Sequence, residues 1–335
     1  MQTEFIQKLN QLLDKSKKIV IFPHKNPDGD ALGSTLALSR FLIKKGHQCH
    51  VISPNEYPSF LGWLPDQEKI LRYSENTNEC NLLIQSADIA FTLDFNSLGR
   101  IGSMSEVVKE LNVPIVMIDH HQAPEEYAKL KYSDTTIGST CEMVYNVLAA
   151  IDKKAIDVEI AQCIYTGIMT DSGSFRFSST SSKTHRIVAE LLDLGVNHAL
   201  IHQKIYDSYR FERLQLLGIT LKKLTRIDNL PVVYTYLTQE ELDSCDFKKG
   251  DTEGFVNYGL SLEYVKLAVI LIENKQEKII KMSFRSKDNF DVNTFARNYF
   301  NGGGHFNAAG GISNESMEKT IVLFREAIIK NSSLF

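Results

Sequence analysis

The chain has 335 residues, of which 43% are hydrophobic and 23% charged, and its formal net charge is −4. That length accommodates two domains or one large one, and the absence of an overall basic footprint argues against a protein that tracks long duplex nucleic acid. No apolar run approaches the ~20 residues of a membrane span, and the five scattered cysteines (Cys49, Cys80, Cys141, Cys163 and Cys245) form no CxxC pair. This excludes a thiolate zinc site and a disulfide framework as readings and favours a reducing cytoplasm. The N-terminus has neither the basic nor the apolar region of a secretion signal, so the chain is expected to be cytoplasmic, with no membrane partner.

Residues 2–15 carry Phe5, Ile6, Leu9, Leu12 and Leu13 at helical spacing. A buried strand is expected over 19–22, then a loop from His24 to Ser34, then a helix over 31–45. Residues 48–52 read as a strand, 53–66 as a loop holding Trp63, and 81–85 as a short helix. Strands follow over 87–93 and 114–118, with a helix over 103–111 between them. Helices are expected over 138–151, 156–169 and 182–194. The alternation of strand and helix implies a parallel sheet with right-handed crossovers.

Three strand ends carry chemistry. The strand at 19–22 runs into His24, Asp28 and Asp30, the strand at 87–93 into Asp94, and the strand at 114–118 into Asp119, His120 and His121. In a parallel sheet these ends share one edge, where ligands bind. Asp28 and Asp30 also suit a turn and a helix cap, and a lone Asp94 would suit a cap as well. Asp171 closes an apolar helix, where the helix dipole disfavours a carboxylate unless a cation compensates. Four carboxylates at one site repel unless neutralised. Two divalent ions would balance Asp28, Asp30, Asp94 and Asp171, with His24 and His120 as nitrogen donors. Such a pair serves in-line displacement at phosphorus. The thiolate-free donor set suits manganese, with magnesium, cobalt, iron and zinc open. Asp94, at a strand end, is the candidate to stand between the ions.

Residues 198–223 read as one or two connecting helices, whose apolar face is a candidate for a homodimer contact. From 224 the texture becomes α+β: strands over 224–227 and 232–236 around Asp228-Asn229, and a Thr238/Glu241 capping box. A hairpin over 266–273 and 278–285 follows, then helices over 292–299 and 317–330. Between those helices lies Gly302-Gly303-Gly304-His305. Consecutive glycines leave backbone N–H groups open to an anion, and His305 adds a donor; a flexible turn is the alternative. Arg285, at a strand end, can pair with phosphate or lie solvated. Arg100 and Arg176 are weaker candidates near the acid-bearing loops.

Asp119-His120-His121, the His24–Asp28–Asp30 pattern, Asp94, Asp171 and Gly302–His305 together resemble the DHH/DHHA1 phosphoesterase superfamily, over nearly the whole chain. Its compact branch holds nano-RNases and 3′-phosphoadenosine 5′-phosphate phosphatases. The resemblance implies an α/β parallel-sheet DHH domain with helices on both faces over residues 1–197, a helical connector over 198–223, and a smaller α+β DHHA1 domain over 224–335. It implies a manganese-dependent phosphoesterase that cleaves short oligoribonucleotides or 3′-phosphoadenosine 5′-phosphate to nucleoside monophosphates. Under that resemblance His24 and Asp28 hold one metal, and Asp30, His120 and Asp171 the other, with Asp94 bridging. His121 stands by the scissile phosphate, Asp119 orients the histidines, and Arg285, Gly302, Gly303, Gly304 and His305 bind substrate. Cyclic or linear dinucleotide phosphodiesterase, inorganic pyrophosphatase and a non-catalytic nucleotide binder are the alternatives.

Overall fold

A computed structural model of the chain describes residues 2–227 and 229–335. It divides into two units, Met1–Ser208 and Tyr209–Phe335. The first contains α1 (Gln2–Leu12), β1 (Lys18–Phe22), α2 (Gly29–Lys44), β2 (Gln48–Ser53), β3 (Leu71–Arg72), α3 (Thr77–Gln85), β4 (Ile89–Leu93), α4 (Met104–Lys109), β5 (Ile115–Asp119), β6 (Leu130–Ser133), α5 (Thr140–Asp152), α6 (Val158–Asp171), α7 (Ser182–Asp193) and α8 (His198–Tyr206). Its six strands run in the order β3-β2-β1-β4-β5-β6, and every pairing is parallel.

Alternation along the strands feeds two cores. Ile19 and Ile21 of β1 pack with Leu32, Phe41, Val144 and Ile164 of α2, α5 and α6. Val20 and Phe22 pack with Ile84, Met104 and Val108 of α3 and α4. Helices therefore cover both faces, and the strands read as continuous apolar runs because both of their faces are buried. The strand order reverses at β1, which neighbours both β2 and β4. The carboxyl ends of β1 and β4 thus flank a topological switch point, the place where open α/β sheets bind ligands.

The second unit contains α9 (Phe211–Lys222), β7 (Thr225–Arg226), β8 (Val232–Leu237), α10 (Gln239–Ser244), α11 (Phe255–Leu260), β9 (Leu267–Asn274), β10 (Ile279–Ser286), α12 (Val292–Tyr299), β11 (Gly303–His305), β12 (Ala308–Ser313) and α13 (Met317–Lys330). The sheet order is β11-β12-β10-β9-β8-β7, antiparallel except for β8 with β9. One face packs Met282 and Phe284 against Phe295 and Phe300, beside Phe324 and Ile328 of α13. The other packs Val233, Ala268 and Ile270 of β8 and β9 against Leu216, Leu242 and Phe255 of α9, α10 and α11. Among the described residues, β10, β11 and β12 place no hydrophobic side chain in that second core.

Several boundaries differ from the sequence reading. The helix expected over 31–45 begins at Gly29, because Asp28 caps it: Asp28 Oδ1 accepts the N–H groups of Asp30 and Ala31, each at 3.1 Å. The helix expected over 156–169 is shifted to Val158–Asp171 by its Asp157 cap. β3, β6 and α11 escape the sequence reading, being two, four and six residues long. Such short elements have no room for a periodic signal. The strand expected over 224–227 shrinks to Thr225–Arg226, and Asp228 of the expected turn lies outside the described residues. The connector region forms two helices, α8 and α9, one in each unit. The Thr238/Glu241 capping box forms in full. All five cysteines are free thiols, and no helix among the described residues is long and apolar enough to cross a membrane.

Candidate active site

The switch point of the first unit gathers the acids and histidines of three strand ends. His24 follows β1. Its Nδ1 lies 2.9 Å from the Lys25 carbonyl and donates there, which turns Nε2 toward Asp94 Oδ2 at 3.5 Å and Asp28 Oδ2 at 3.9 Å. Asp28 thus serves two readings at once, since Oδ1 caps α2 while Oδ2 faces the histidine. His120, after β5, repeats the arrangement. Its Nδ1 is 3.2 Å from the Ile137 carbonyl, and its Nε2 faces Asp171 Oδ2 at 3.2 Å, Asp94 Oδ1 at 3.4 Å and Asp30 Oδ2 at 3.7 Å. Both imidazoles are held in the tautomer that metal-ligating histidines use, with the far nitrogen tied to a carbonyl.

Asp94 stands between them, one oxygen toward each histidine. It is 2% exposed, and its φ of +66° lies in the left-handed region that an Asp adopts only at a cost of ~1–3 kcal/mol. Its N–H donates to the Ile118 carbonyl at 3.1 Å, which ties the end of β4 to β5. Asp30 is buried deeper still, in the first turn of α2. Gly167 of α6 makes room for it: a Cβ there would come 2.7 Å from Asp30 Oδ1 and 2.2 Å from Cys141 Sγ. Asp171 closes α6, and a left-handed turn at Gly173, Ser174 and Phe175 (φ +57°, +58° and +66°) ends the helix behind it.

The electrostatics mark a site short of positive charge. Burial, with Asp94 and Asp171 beside it, pushes Asp30 well above the ordinary carboxylate range. Burial opposes charge on His120, but Asp94, Asp171 and Asp30 outweigh it and raise its pKa well above normal. His24 is raised in the same way: burial opposes charge, while Asp94 and Asp28 outweigh it. Asp94 goes the other way; burial would raise it, yet His120 and His24 hold it well below normal. A cation between the histidines and the carboxylates would relieve the same repulsion that protons relieve here. His24, Asp28 and Asp94 form one group whose ligand atoms lie within 4.8 Å of one another, and Asp30, His120 and Asp171 form a second. Imidazole and carboxylate donors without a thiolate fit a hard or intermediate divalent ion.

Asp119 and His121 adjoin these groups. His121 Nδ1 donates to Asp119 Oδ1 at 2.7 Å, and both residues are buried. Burial and the Asp94 charge push Asp119 up to about 7. Burial holds the His121 imidazole well below its ordinary range, with Arg100, His120 and His24 adding to the effect. Arg100 therefore acts on this cluster through its charge. Arg176 instead donates Nε to the Gly173 carbonyl at 2.7 Å, inside the turn after Asp171.

In the second unit the glycine stretch is an edge hairpin, not a loose turn. Gly303 pairs with Gly310, Gly304 with Ala309 and His305 with Ala308. A Cβ on Gly302 would lie 2.0 Å from the Gly310 carbonyl, and one on Gly304 (φ +155°) would lie 2.5 Å from that of Ala308. The glycines thus let β11 approach β12. The expectation of open N–H groups fails at Gly304, whose N–H donates to Asn293 Oδ1 at 2.9 Å. Arg285 pairs with Ala308, which also pairs with His305, so one row across the sheet reads Arg285, Ala308, His305. The next row reads Ser283, Gly310, Gly303. Small side chains there leave the sheet surface low beside one guanidinium and one imidazole.

The sequence reading missed the groups that hold these residues. Thr140 and the Cys141 amide bind Asp30 and Asp94, the Ile137 carbonyl fixes His120, and Asn293 fixes the hairpin. Only Thr140 had a local signal, the Ser139-x-x-Glu142 spacing of a helix start.

Residues 18–168 match the DHH family, N-terminal domain, and residues 229–331 match the DHHA1 domain. A Thermus thermophilus protein named bifunctional oligoribonuclease and PAP phosphatase NrnA is 30% identical over 87% of this chain and 83% of its own. A Streptococcus mutans protein, named a probable enzyme of the same kind, is 26% identical over 87% of this chain and 88% of its own. The crystal structure of an exopolyphosphatase-related protein from Bacteroides fragilis superposes with a TM-score of 0.94 at 38% identity, covering 99% of this chain and 97% of that one.

Proposed function

We propose that this chain, which belongs to the DHH/DHHA1 family, is a phosphohydrolase that cleaves short oligoribonucleotides or 3′-phosphoadenosine 5′-phosphate, releasing nucleoside monophosphates. The observation that carries this is Asp94, buried and left-handed, turning one oxygen to His24 and the other to His120. The names of the Thermus and Streptococcus relatives support the substrate class. Two divalent ions, manganese by preference, would supply charge neutralisation and water activation for in-line displacement at phosphorus when bound. His24 and Asp28 would hold one, Asp30, His120 and Asp171 the other, and Asp94 both.

The chain's own residues do the rest. Asp119 fixes the His121 proton at Nδ1 and so orients the ring. His121 is the group that steadies the scissile phosphate or moves a proton at the leaving oxygen. Arg285 takes a substrate phosphate as a charge-assisted pair, beside His305 and the glycines of the hairpin. A low, small-residue surface suits a short substrate, and the net charge of −4 fits a poor affinity for long polyanions. Exposed Leu192, Leu194 and Leu200 on α7, its C-terminal end and α8, and Phe211 and Leu214 on α9, support a homodimer, which a solution mass measurement tests.

The deciding experiment is a hydrolysis panel with manganese. It holds a 5′-phosphorylated RNA dinucleotide, a ten-nucleotide RNA, 3′-phosphoadenosine 5′-phosphate, cyclic-di-AMP, polyphosphate and pyrophosphate. Fast turnover of the dinucleotide or the bisphosphonucleotide is expected. Turnover of cyclic-di-AMP alone would make the protein a signalling phosphodiesterase. Preference for pyrophosphate or polyphosphate would remove the nucleotide assignment, and silence across the panel would leave a nucleotide binder.

A further inference from the structure

One residue outside the acid and histidine set touches an acid of each group. The Thr140 hydroxyl, fully buried, donates to Asp94 Oδ1 at 2.9 Å. The Thr140 N–H donates to Asp30 Oδ2 at 2.6 Å, and the Cys141 N–H donates to Asp30 Oδ1 at 2.8 Å. Thr140 and Cys141 are the first two residues of α5, and the Ser139 hydroxyl takes the Glu142 amide. The remaining free amides of that helix start are therefore closed by a carboxylate from α2. Asp30 itself lies in the first turn of α2. The starts of a 16-residue and a 13-residue helix thus converge on one buried carboxyl group, and both dipoles favour its ionised form.

The geometry also fixes rotation. A carboxylate oxygen has about two acceptor directions. Each Asp30 oxygen spends one on an α5 amide, and Asp94 Oδ1 spends one on the Thr140 hydroxyl. Each keeps a direction for a cation, and neither carboxylate can turn without breaking a buried bond. We propose that Thr140 is a positioning residue of the metal centre, holding Asp30 through its amide and Asp94 through its hydroxyl in the rotations that bind cations. This rests on the two-metal reading above.

The test is manganese binding by the full chain, read by titration calorimetry and by the electron paramagnetic resonance of bound Mn²⁺, for wild type, Thr140→Val, Thr140→Ala and Thr140→Ser. Valine keeps the shape and the amide and removes only the hydroxyl. Thr140→Val is expected to weaken manganese binding about 10–100-fold, the usual size for a lost partner behind a metal ligand, and to broaden the resonance. Thr140→Ser is expected to restore both, with metal-free melting temperatures close to wild type throughout. Should the valine variant fail to fold, Thr140→Ala carries the same comparison. Wild-type affinity and spectrum in the hydroxyl-free variants would overturn the role of Thr140 alone. Equal weakening in Thr140→Ser would overturn it too, since the hydroxyl would then not be the operative group. Absence of manganese binding by the wild type would overturn the two-metal reading and this proposal with it.

Discussion

The two candidate sites are built on opposite principles. In the first unit, charge is concentrated where water is scarce: Asp30, Asp94, Asp119, His24, His120 and His121 are all buried. Each is pinned by a backbone group or a neighbouring side chain. In the second unit the surface is made by what is missing. Gly303, Gly310 and Ala308 leave the sheet low between Arg285 and His305. A buried charge cluster needs a counter-charge and holds its geometry tightly. A low platform needs backbone approach and tolerates different occupants. The first kind of site suits a fixed reaction, the second a substrate class.

The largest effect should come from the carboxylate that faces both histidines. Asp94→Ala is expected to reduce hydrolysis to background while the far-ultraviolet circular dichroism stays unchanged; near-normal turnover with manganese would mean the first site is not a reaction centre. Removal of divalent ions by a chelator should lower the melting temperature. For an ion present at a hundred times its dissociation constant the loss is about 2.7 kcal/mol, or roughly 5–10 °C, and an unchanged melting curve would mean the cluster holds its charges without a cation.

Changes in the second unit should act on affinity. Arg285→Gln is expected to raise KM roughly 10–100-fold, the value of a charge-assisted bond, with kcat moving less. A fall in kcat at constant KM would put Arg285 in the chemistry instead. Gly304→Ala is expected to destabilise the hairpin by about 1–3 kcal/mol, because φ is +155° and the new Cβ would meet the Ala308 carbonyl at 2.5 Å. Denaturation monitored alongside KM checks it.

The smallest effect lies away from both sites. Burial opposes the Glu241 carboxylate, but Lys223 and the Thr238 amide outweigh it and hold its pKa below the usual 4.5. Its contribution is therefore present above that pH and is lost as the pH falls through the lowered value. Glu241→Gln should cost about 0.2–1 kcal/mol at neutral pH, the value of its ion pair with Lys223, and the gap to wild type should close on acidification. A gap that persists at low pH would mean that the amide contacts, not the charge, matter.

The first site was legible because its residues are local. A strand followed by His24, Asp28 and Asp30, or by Asp119, His120 and His121, announces itself in a few residues, and parallel strands put such ends on one edge. The residues that hold the site were not legible, because their partners are far away in sequence. Thr140 meets Asp30 across 110 residues and Asp94 across 46. Gly167 is needed only because α2 carries Asp30 past it. The glycine stretch was legible in part. Its glycines read as a turn with N–H groups open to an anion, and only the pairing of β11 with β12 shows them as a close-packed edge.

The sequence by itself determined the parallel α/β first unit and the α+β second unit, the acids and histidines at the strand ends, and the capping box at Thr238. Hydrophobic period, caps and composition are properties of neighbouring residues. Only the tertiary structure decided which oxygen of Asp94 faces which histidine, that two helix starts share Asp30, and that Arg285 and His305 flank Ala308 in one row. Those relations depend on the rotation and register of elements that meet only after packing, and packing is set by the whole core rather than by any local stretch.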